Sequence, residues 1–319
     1  KKTKMDETNK MALEVAHIAT LKGHSGCVYA MDRGFSEHTI FTGGSDRYIA
    51  LWNLETLKAE KFSAALPAPI YTICHIPEKN ILLAGTTTGA IHILDLNKKE
   101  EIKILQHHRG PVFDIQYSLK TNCFYTAGGD GNFAVCSLDT LSLLKMKKLS
   151  YDKARSIAFN DVTSEIAVAL GDSNVLIFDL LTLEYKNDFI AHQVGEKVVG
   201  ANVVRYSPDG KFLLTGGRDA HLNIWSVENY ELIKSIPAHN WAIYDITFNP
   251  DATLFATASR DKTIKIWDAK TYQVLKRITK LNFEAHTHSV NKLIWSTYRN
   301  YLVSVGDDKM VMIREVNRK

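Results

Sequence analysis

Short β-favouring runs alternate along the chain with Gly- and Asp-bearing turns, and no long stretch holds an apolar residue every 3.6 positions. One unit recurs seven times: an apolar run, a tight turn, then a second apolar run. The copies read TIFTGGSDRYIALWN, ILLAGTTTGAIHILDL, CFYTAGGDGNFAVCSLD, EIAVALGDSNVLIFDL, FLLTGGRDAHLNIWSV, LFATASRDKTIKIWDA and YLVSVGDDKMVMIREV. The residue six beyond the turn Asp, or its stand-in, falls at Trp52, Leu94, Cys136, Phe178, Trp225, Trp267 and Arg314. Successive steps are 42, 42, 42, 47, 42 and 47 residues. Segments of five to seven residues rich in Val, Ile, Phe, Tyr and Thr, repeating at this period, predict blades of four strands each.

On these His, Asp and Trp-Asp positions, from about residue 15 to the end, the chain resembles the WD-repeat (WD40) family. The resemblance implies an all-β fold: a seven-bladed WD40 β-propeller closed by pairing of the N-terminal strand with the last blade. Residues 17–21 would complete blade seven beside residues 310–316, removing an open sheet edge. Residues 15–319 then form a single domain behind a flexible N-terminal tail of residues 1–14.

The same resemblance implies a four-residue hydrogen-bond network in each regular repeat. Repeat one supplies His24, Thr42, Asp46 and Trp52; repeat five His192, Thr215, Asp219 and Trp225; repeat six His239, Thr257, Asp261 and Trp267. Repeat three has His108, Thr126 and Asp130, and repeat seven His286, Ser304 and Asp308, with Cys136 and Arg314 in place of Trp. The composition imitates a Ser-His-Asp triad, but a triad would occur once, with an exposed nucleophile. A device repeated up to five times at one period is structural, so no catalytic residue is expected. Carboxylate, imidazole, hydroxyl and indole can satisfy one another in sequence. Repeat two replaces the set with Leu66, Ala84, Thr88 and Leu94, and repeat four keeps only Asp172.

Family members that resemble this chain usually bind proteins or peptides on the face bearing the loops before the first strand and the turns holding the quartet Asp. Mapping that face places Tyr29, Tyr71 and Phe113 over blades one to three. Lys153, Arg155, Arg218 and Arg260 lie over blades four to six, with Tyr244 in blade six. Aromatic side chains and Arg dominate interface energetics, and an arc of Arg offers bidentate sites to carboxylate or phosphate. The expected partner is therefore a protein or peptide with an acidic or phosphorylated segment and an apolar anchor. Trp241, after His239, is either such an anchor or a cover for the blade interface. Five-residue insertions within residues 193–200 and around residues 280–284 lengthen loops on this face.

Composition narrows the alternatives. Lys and Arg number 39 against 35 Asp and Glu, a net charge of +4, which gives no global signature of nucleic-acid or anionic-membrane binding. No uncharged apolar stretch approaches the roughly 18 residues of a membrane span. Residues 1–10 are polar and Lys-rich, without the apolar segment of a secretory signal. The four cysteines show no C-x-x-C pairing and read as buried thiols in a reducing compartment, so the expectation is a cytoplasmic monomer. No metal and no cofactor are expected: one His of the 107–108 pair and of the 286–288 pair is already a quartet member, and no nucleotide motif is present. The competing classes are a nucleic-acid-binding propeller and, less strongly, a propeller enzyme. The enzyme would need acids converging on the central channel, and the repeats show no such surplus set.

Overall fold

The computed structural model describes residues 13–318 and is built from seven four-stranded antiparallel sheets. In six blades the four strands follow chain order from the centre outward, so each hairpin closes locally; in the seventh the outermost strand comes from the start of the chain. The inner strands are Val28–Arg33, Ile70–Ile76, Val112–Ser118, Ala154–Asn160, Ala201–Tyr206, Ile243–Phe248 and Val290–Trp295. Each touches the inner strand of the next blade, and the seventh touches the first. The chain is thus a closed seven-bladed propeller.

Closure comes from the strand Leu13–Leu21, which pairs antiparallel with Val311–Arg318 from Leu13↔Arg318 to Leu21↔Val311. The pairing foreseen for residues 17–21 extends back to Leu13. Of the tail expected over residues 1–14, residues 1–12 lie outside the described residues, and Leu13 and Glu14 belong to the strand. Leu13 is buried against Leu254, Trp295 and Val316 of the core cluster between blades six and seven, which fixes it there.

The second strand of a blade, such as Thr39–Gly44 or Leu254–Ser259, is buried at every position because it has a neighbouring strand on each side and a blade on each face. The outermost strands face solvent. Leu143–Lys148 is exposed throughout, and its three Lys side chains discourage edge pairing with another chain. The core is seven clusters, each shared by two neighbouring blades. Trp52 of blade one packs with Val303 and Ile313 of blade seven, and Trp267 of blade six with Leu214 and Leu222 of blade five. Each fully buried side chain of this size contributes on the order of 1.5–3 kcal/mol, so the blade interfaces hold the ring.

The turn between second and third strands has its own local cause. The residue after the quartet Asp is left-handed: Arg47 (φ 70°), Gly131 (φ 73°), Ala220 (φ 64°), Lys262 (φ 72°) and Lys309 (φ 71°). The Asp side chain offsets that strain by accepting the N–H two residues on, as Asp46 does from Tyr48 and Asp261 from Thr263. Gly131 suits its place doubly, since a Cβ there would lie 2.0 Å from the Ser150 carbonyl oxygen.

Candidate interaction face and the quartets beneath it

In blade one, Trp52 Nε1 donates to Thr42 Oγ1 (2.7 Å), Thr42 to His24 Nε2 (2.7 Å), and His24 Nδ1 to Asp46 Oδ2 (2.8 Å). The direction is set at both ends, because an indole only donates and a carboxylate only accepts. Blade six repeats the chain at 3.0, 2.7 and 3.0 Å through Trp267, Thr257, His239 and Asp261. Thr42 and Thr257 are fully buried, and their hydroxyls are spoken for on both sides. The Asp also accepts the backbone N–H after the His, from Ser25, Arg109, Asn240 and Thr287 in blades one, three, six and seven. Burial raises the Asp130 carboxyl, but the N–H of Arg109, Asn132 and His108 outweigh it and hold the pKa at about 2. Burial holds His108, His239 and His286 below the ordinary imidazole value despite their Asp partners.

Blades lacking Trp find other donors. In blade three, where Cys136 cannot replace the indole, His107 Nε2 lies 3.2 Å from Thr126 Oγ1, while His108 keeps its bonds to Thr126 (2.7 Å) and Asp130 (3.0 Å). Burial, then the neighbouring His108, lowers His107 to a pKa of about 4. In blade seven the fully buried Arg314 donates Nη1 to Ser304 Oγ (3.1 Å) and Nη2 to the Glu284 carbonyl (2.7 Å). Burial pulls Arg314 down to about 10, against Glu284 and Asp308. His286 bonds Asp308 (2.8 Å) and Ser304 (2.9 Å). In blade four Ser150 takes the place of the His and donates to Asp172.

Blade five departs from the expected continuous quartet. His192 Nδ1 bonds Asp219 (3.1 Å) and Trp225 Nε1 bonds Thr215 (3.0 Å), but no bond joins His192 Nε2 to Thr215, leaving that nitrogen buried and unpartnered. The five-residue insertion lies directly beside it. Residues Gln193–Val194 and Lys197–Val198 form a small hairpin straight after His192, whose backbone is clamped to Ser173 Oγ of blade four.

Above the quartets, one residue from each blade rings the mouth of the central channel: Tyr29, Tyr71, Phe113, Arg155, Asn202, Tyr244 and Asn291. They bound an opening of about 320 Å³, with Asp307 at its edge. Tyr29 meets Tyr71 edge-on at 5.0 Å, Tyr71 stacks on Phe113 at 5.7 Å, and the Arg155 guanidinium lies 4.6 Å over Phe113. Further out, Arg260 lies 4.6 Å over Trp241, which is 53% exposed and so lies open rather than covering an interface. Arg218 is exposed, its backbone N–H held by the Gly200 carbonyl, and Lys153 is half-buried in the loop before the inner strand of blade four. Among the described residues, arginine ion pairs join Arg205 to Asp245 and Arg318 to Asp268; Arg155, Arg218 and Arg260 make none. Burial, then Arg218, lowers the Arg155 pKa.

Deeper in the channel the structure corrects the expectation of no surplus charge. A cavity of about 500 Å³ is lined by Asp32, Asp114, Asp245, Arg205 and Lys292. These groups are engaged with the fold itself. Asp32 accepts the His75 N–H (2.7 Å), Asp114 the Ile157 N–H (2.7 Å) and Asp245 the Leu293 N–H (2.9 Å), each stitching its inner strand to the next blade. Arg205 and Lys292 lie 3.1 and 3.7 Å from Asp245. Burial pushes Asp32 up to about 6 against the N–H donors of His75 and Arg33. A single acid within an apolar strand (VYAMDR, VFDIQYS, IYDITF) was the signal available in the sequence. Among the described residues no group of three His, Cys, Asp or Glu side chains is placed to hold a metal, and no helix is long and apolar enough to cross a membrane.

A closed ring of seven antiparallel blades with recurring His-hydroxyl-Asp-Trp networks defines the class as a repeat propeller. The family model described as WD domain, G-beta repeat matches residues 16–53, 185–226, 230–268 and 277–314, and the chain belongs to the WD-repeat family. The matched stretches cover blades one, five, six and seven; the unmatched blades two to four all lack quartet members, and the matched blade seven lacks only the Trp. The chain is similar to Striatin-3 of Bos taurus, 21% identical over 268 residues, covering 74% of this chain and 32% of that protein. It is also similar to the 77 kDa echinoderm microtubule-associated protein of Strongylocentrotus purpuratus (24% over 211 residues; 66% and 29%). Echinoderm microtubule-associated protein-like 1 of Mus musculus is 27% identical over 208 residues (64% and 24%). The chain thus spans about a third of the length of these curated relatives.

Proposed function

We propose that this chain is a non-catalytic scaffold that binds a protein partner on its quartet-side face, through an acidic or phosphorylated segment. The observation that supports this most is Arg155: a largely shielded guanidinium stacked on Phe113 at the channel mouth, with no carboxylate paired to it. The guanidinium meets only the neutral Asn202 Oδ1 (3.4 Å) and the Phe113 ring. Shielding a charge without a counter-charge is costly, and a carboxylate or phosphate from another chain would meet that need bidentately. Arg218, Arg260 and Lys153 extend the cationic arc, while Tyr29, Tyr71, Tyr244 and Trp241 offer apolar anchors. The buried, doubly bonded quartet hydroxyls support a non-catalytic role, and relatives named for association with microtubules support a protein as partner. Four unpaired cysteines, three of them buried, fit a reducing cytoplasmic setting.

The test is a titration by fluorescence anisotropy with two labelled peptides, Glu-Glu-Leu-Phe-Glu-Glu and its phosphoserine counterpart Glu-Ser(P)-Leu-Phe-Ser(P)-Glu. Binding should weaken by about tenfold or more when Arg155, Arg218 and Arg260 are changed together to Glu. Unchanged affinity in that variant, or no binding of either peptide to the native chain, would contradict the reading. Full competition by a single-stranded DNA oligonucleotide with a steep salt dependence would instead favour nucleic acid as the ligand.

A further inference from the structure

At the interface between blades one and two the third-strand residue is Leu94, an aliphatic side chain where most blades place an aromatic ring. At the other junctions that residue closes the gap: Trp52 between blades seven and one, Phe178 between three and four, Trp225 between four and five, and Trp267 between five and six. At the remaining two junctions stand Cys136, packed between blades two and three, and the fully buried Arg314 of blade seven. Blade two offers Leu94 with Ala84 beneath it, and the space left opens to the outer rim as a groove of about 530 Å³. Blade one contributes a bulge to its wall. Its outer strand steps from Ala50↔Ser63 to Trp52↔Ala59, which leaves two extra residues in the stretch 60–62 that lines the groove.

The floor of the groove is apolar: Leu51, Phe62, Ala64 and Leu66 from blade one, Leu94 and Leu96 from blade two. Its rim is acidic. Glu60, Asp95, Glu100 and Glu101 outnumber Lys61 and Lys99, the reverse of the cationic arc on the quartet-side face. A pocket of this volume takes one or two large side chains, and a rim of net negative charge selects what flanks them.

We propose that this groove is a second docking site, independent of the quartet-side face, for a segment of a partner protein that inserts bulky apolar side chains flanked by Lys or Arg. The apolar floor removes the inserted side chains from water, and the rim carboxylates orient the flanking cations and reject acidic segments.

The test uses the full chain and a labelled Lys-Arg-Leu-Trp-Lys-Arg peptide, with Glu-Asp-Leu-Trp-Glu-Asp as its charge-reversed twin, read by fluorescence anisotropy. The basic peptide should bind and its acidic twin bind about tenfold more weakly or not at all. The double change Ala84→Thr and Leu94→Trp rebuilds the side chains of the other blades and fills the groove. It should cost about tenfold or more in affinity while the circular dichroism spectrum and Tm are kept. The exposed change Glu100→Lys, which leaves the core untouched, should weaken binding about threefold. Replacement of Arg155, Arg218 and Arg260 by Glu should leave this binding intact, which separates the two sites. No binding to the native chain, equal affinity for the filled variant or equal binding of the acidic twin would overturn the proposal. So would a dimer, seen by sedimentation, that the filled variant abolishes, since the groove would then belong to a second copy.

Discussion

In blade six, Asp261 accepts bonds from His239, from the backbone of Asn240 and Thr263 and from the Thr263 hydroxyl, and the chain of donors runs back through Thr257 to Trp267. At the equivalent places blade two carries Leu66, Thr88, Ala84 and Leu94, and its second strand is buried just as completely. The two blades occupy the same kind of place in one ring, so either chemistry is sufficient for a blade. At the four quartet places the condition both meet is that the polar groups are satisfied together or are replaced together, although elsewhere in blade two His75 Nε2 and His92 Nε2 are buried without a partner. Blade five lies between them, with His192 Nε2 buried and unpartnered next to the inserted hairpin.

The comparison breaks first at Asp261. Asp261→Ala strands four donors at once and should lower the free energy of unfolding by about 3 kcal/mol, measured by urea denaturation. Thr88→Ala, at the matching place in blade two, should change it by no more than about 0.5 kcal/mol. Similar losses at the two positions would remove the distinction between the blades.

Acid should sharpen it. His108, His239 and His286 are held below 6.5 and Asp130 at about 2, so both kinds of group have depressed values in the folded state. The quartets' contribution is then complete above pH 6.5 and is lost as pH falls, first through the imidazoles and last through the carboxylates near pH 2. Asp32, raised to about 6, opposes this by favouring the fold as pH falls from 6 toward 3.8. His107, at about 4, places part of the loss between pH 6.5 and 4, and Tm should fall there by several degrees. That fall should shrink in His107→Gln, whose amide keeps a donor for Thr126 without titrating. An unchanged slope in that variant would take His107 out of the network.

The ladder of seven positions and the strand class were legible because they depend on residue type at fixed spacing, and the closing pair followed from the family resemblance those positions carry. Direction and reach were not. Arg314 stood at a Trp position, and only the structure brings its guanidinium to Ser304. His107 looked redundant beside His108, yet it faces Thr126 where Cys136 cannot donate. Asp32, Asp114 and Asp245 sit singly in apolar strands, and their function of tying one inner strand to the next depends on a neighbour some 43 to 48 residues away. The groove beside blade two combines both limits. Leu94 announced a missing indole, but not that a groove would open beside it at the rim.

The most direct measurement is the unfolding free energy of blade six with its quartet exchanged as a set: His239→Leu, Thr257→Val, Asp261→Thr and Trp267→Phe together, beside each change alone. If the network stabilises through mutual satisfaction, the combined variant should fold and lose at least about 2 kcal/mol less than the sum of the four single losses. Losses that add to within about 0.5 kcal/mol would mean that each residue acts by itself, and the quartet would not be the unit of stability claimed for it.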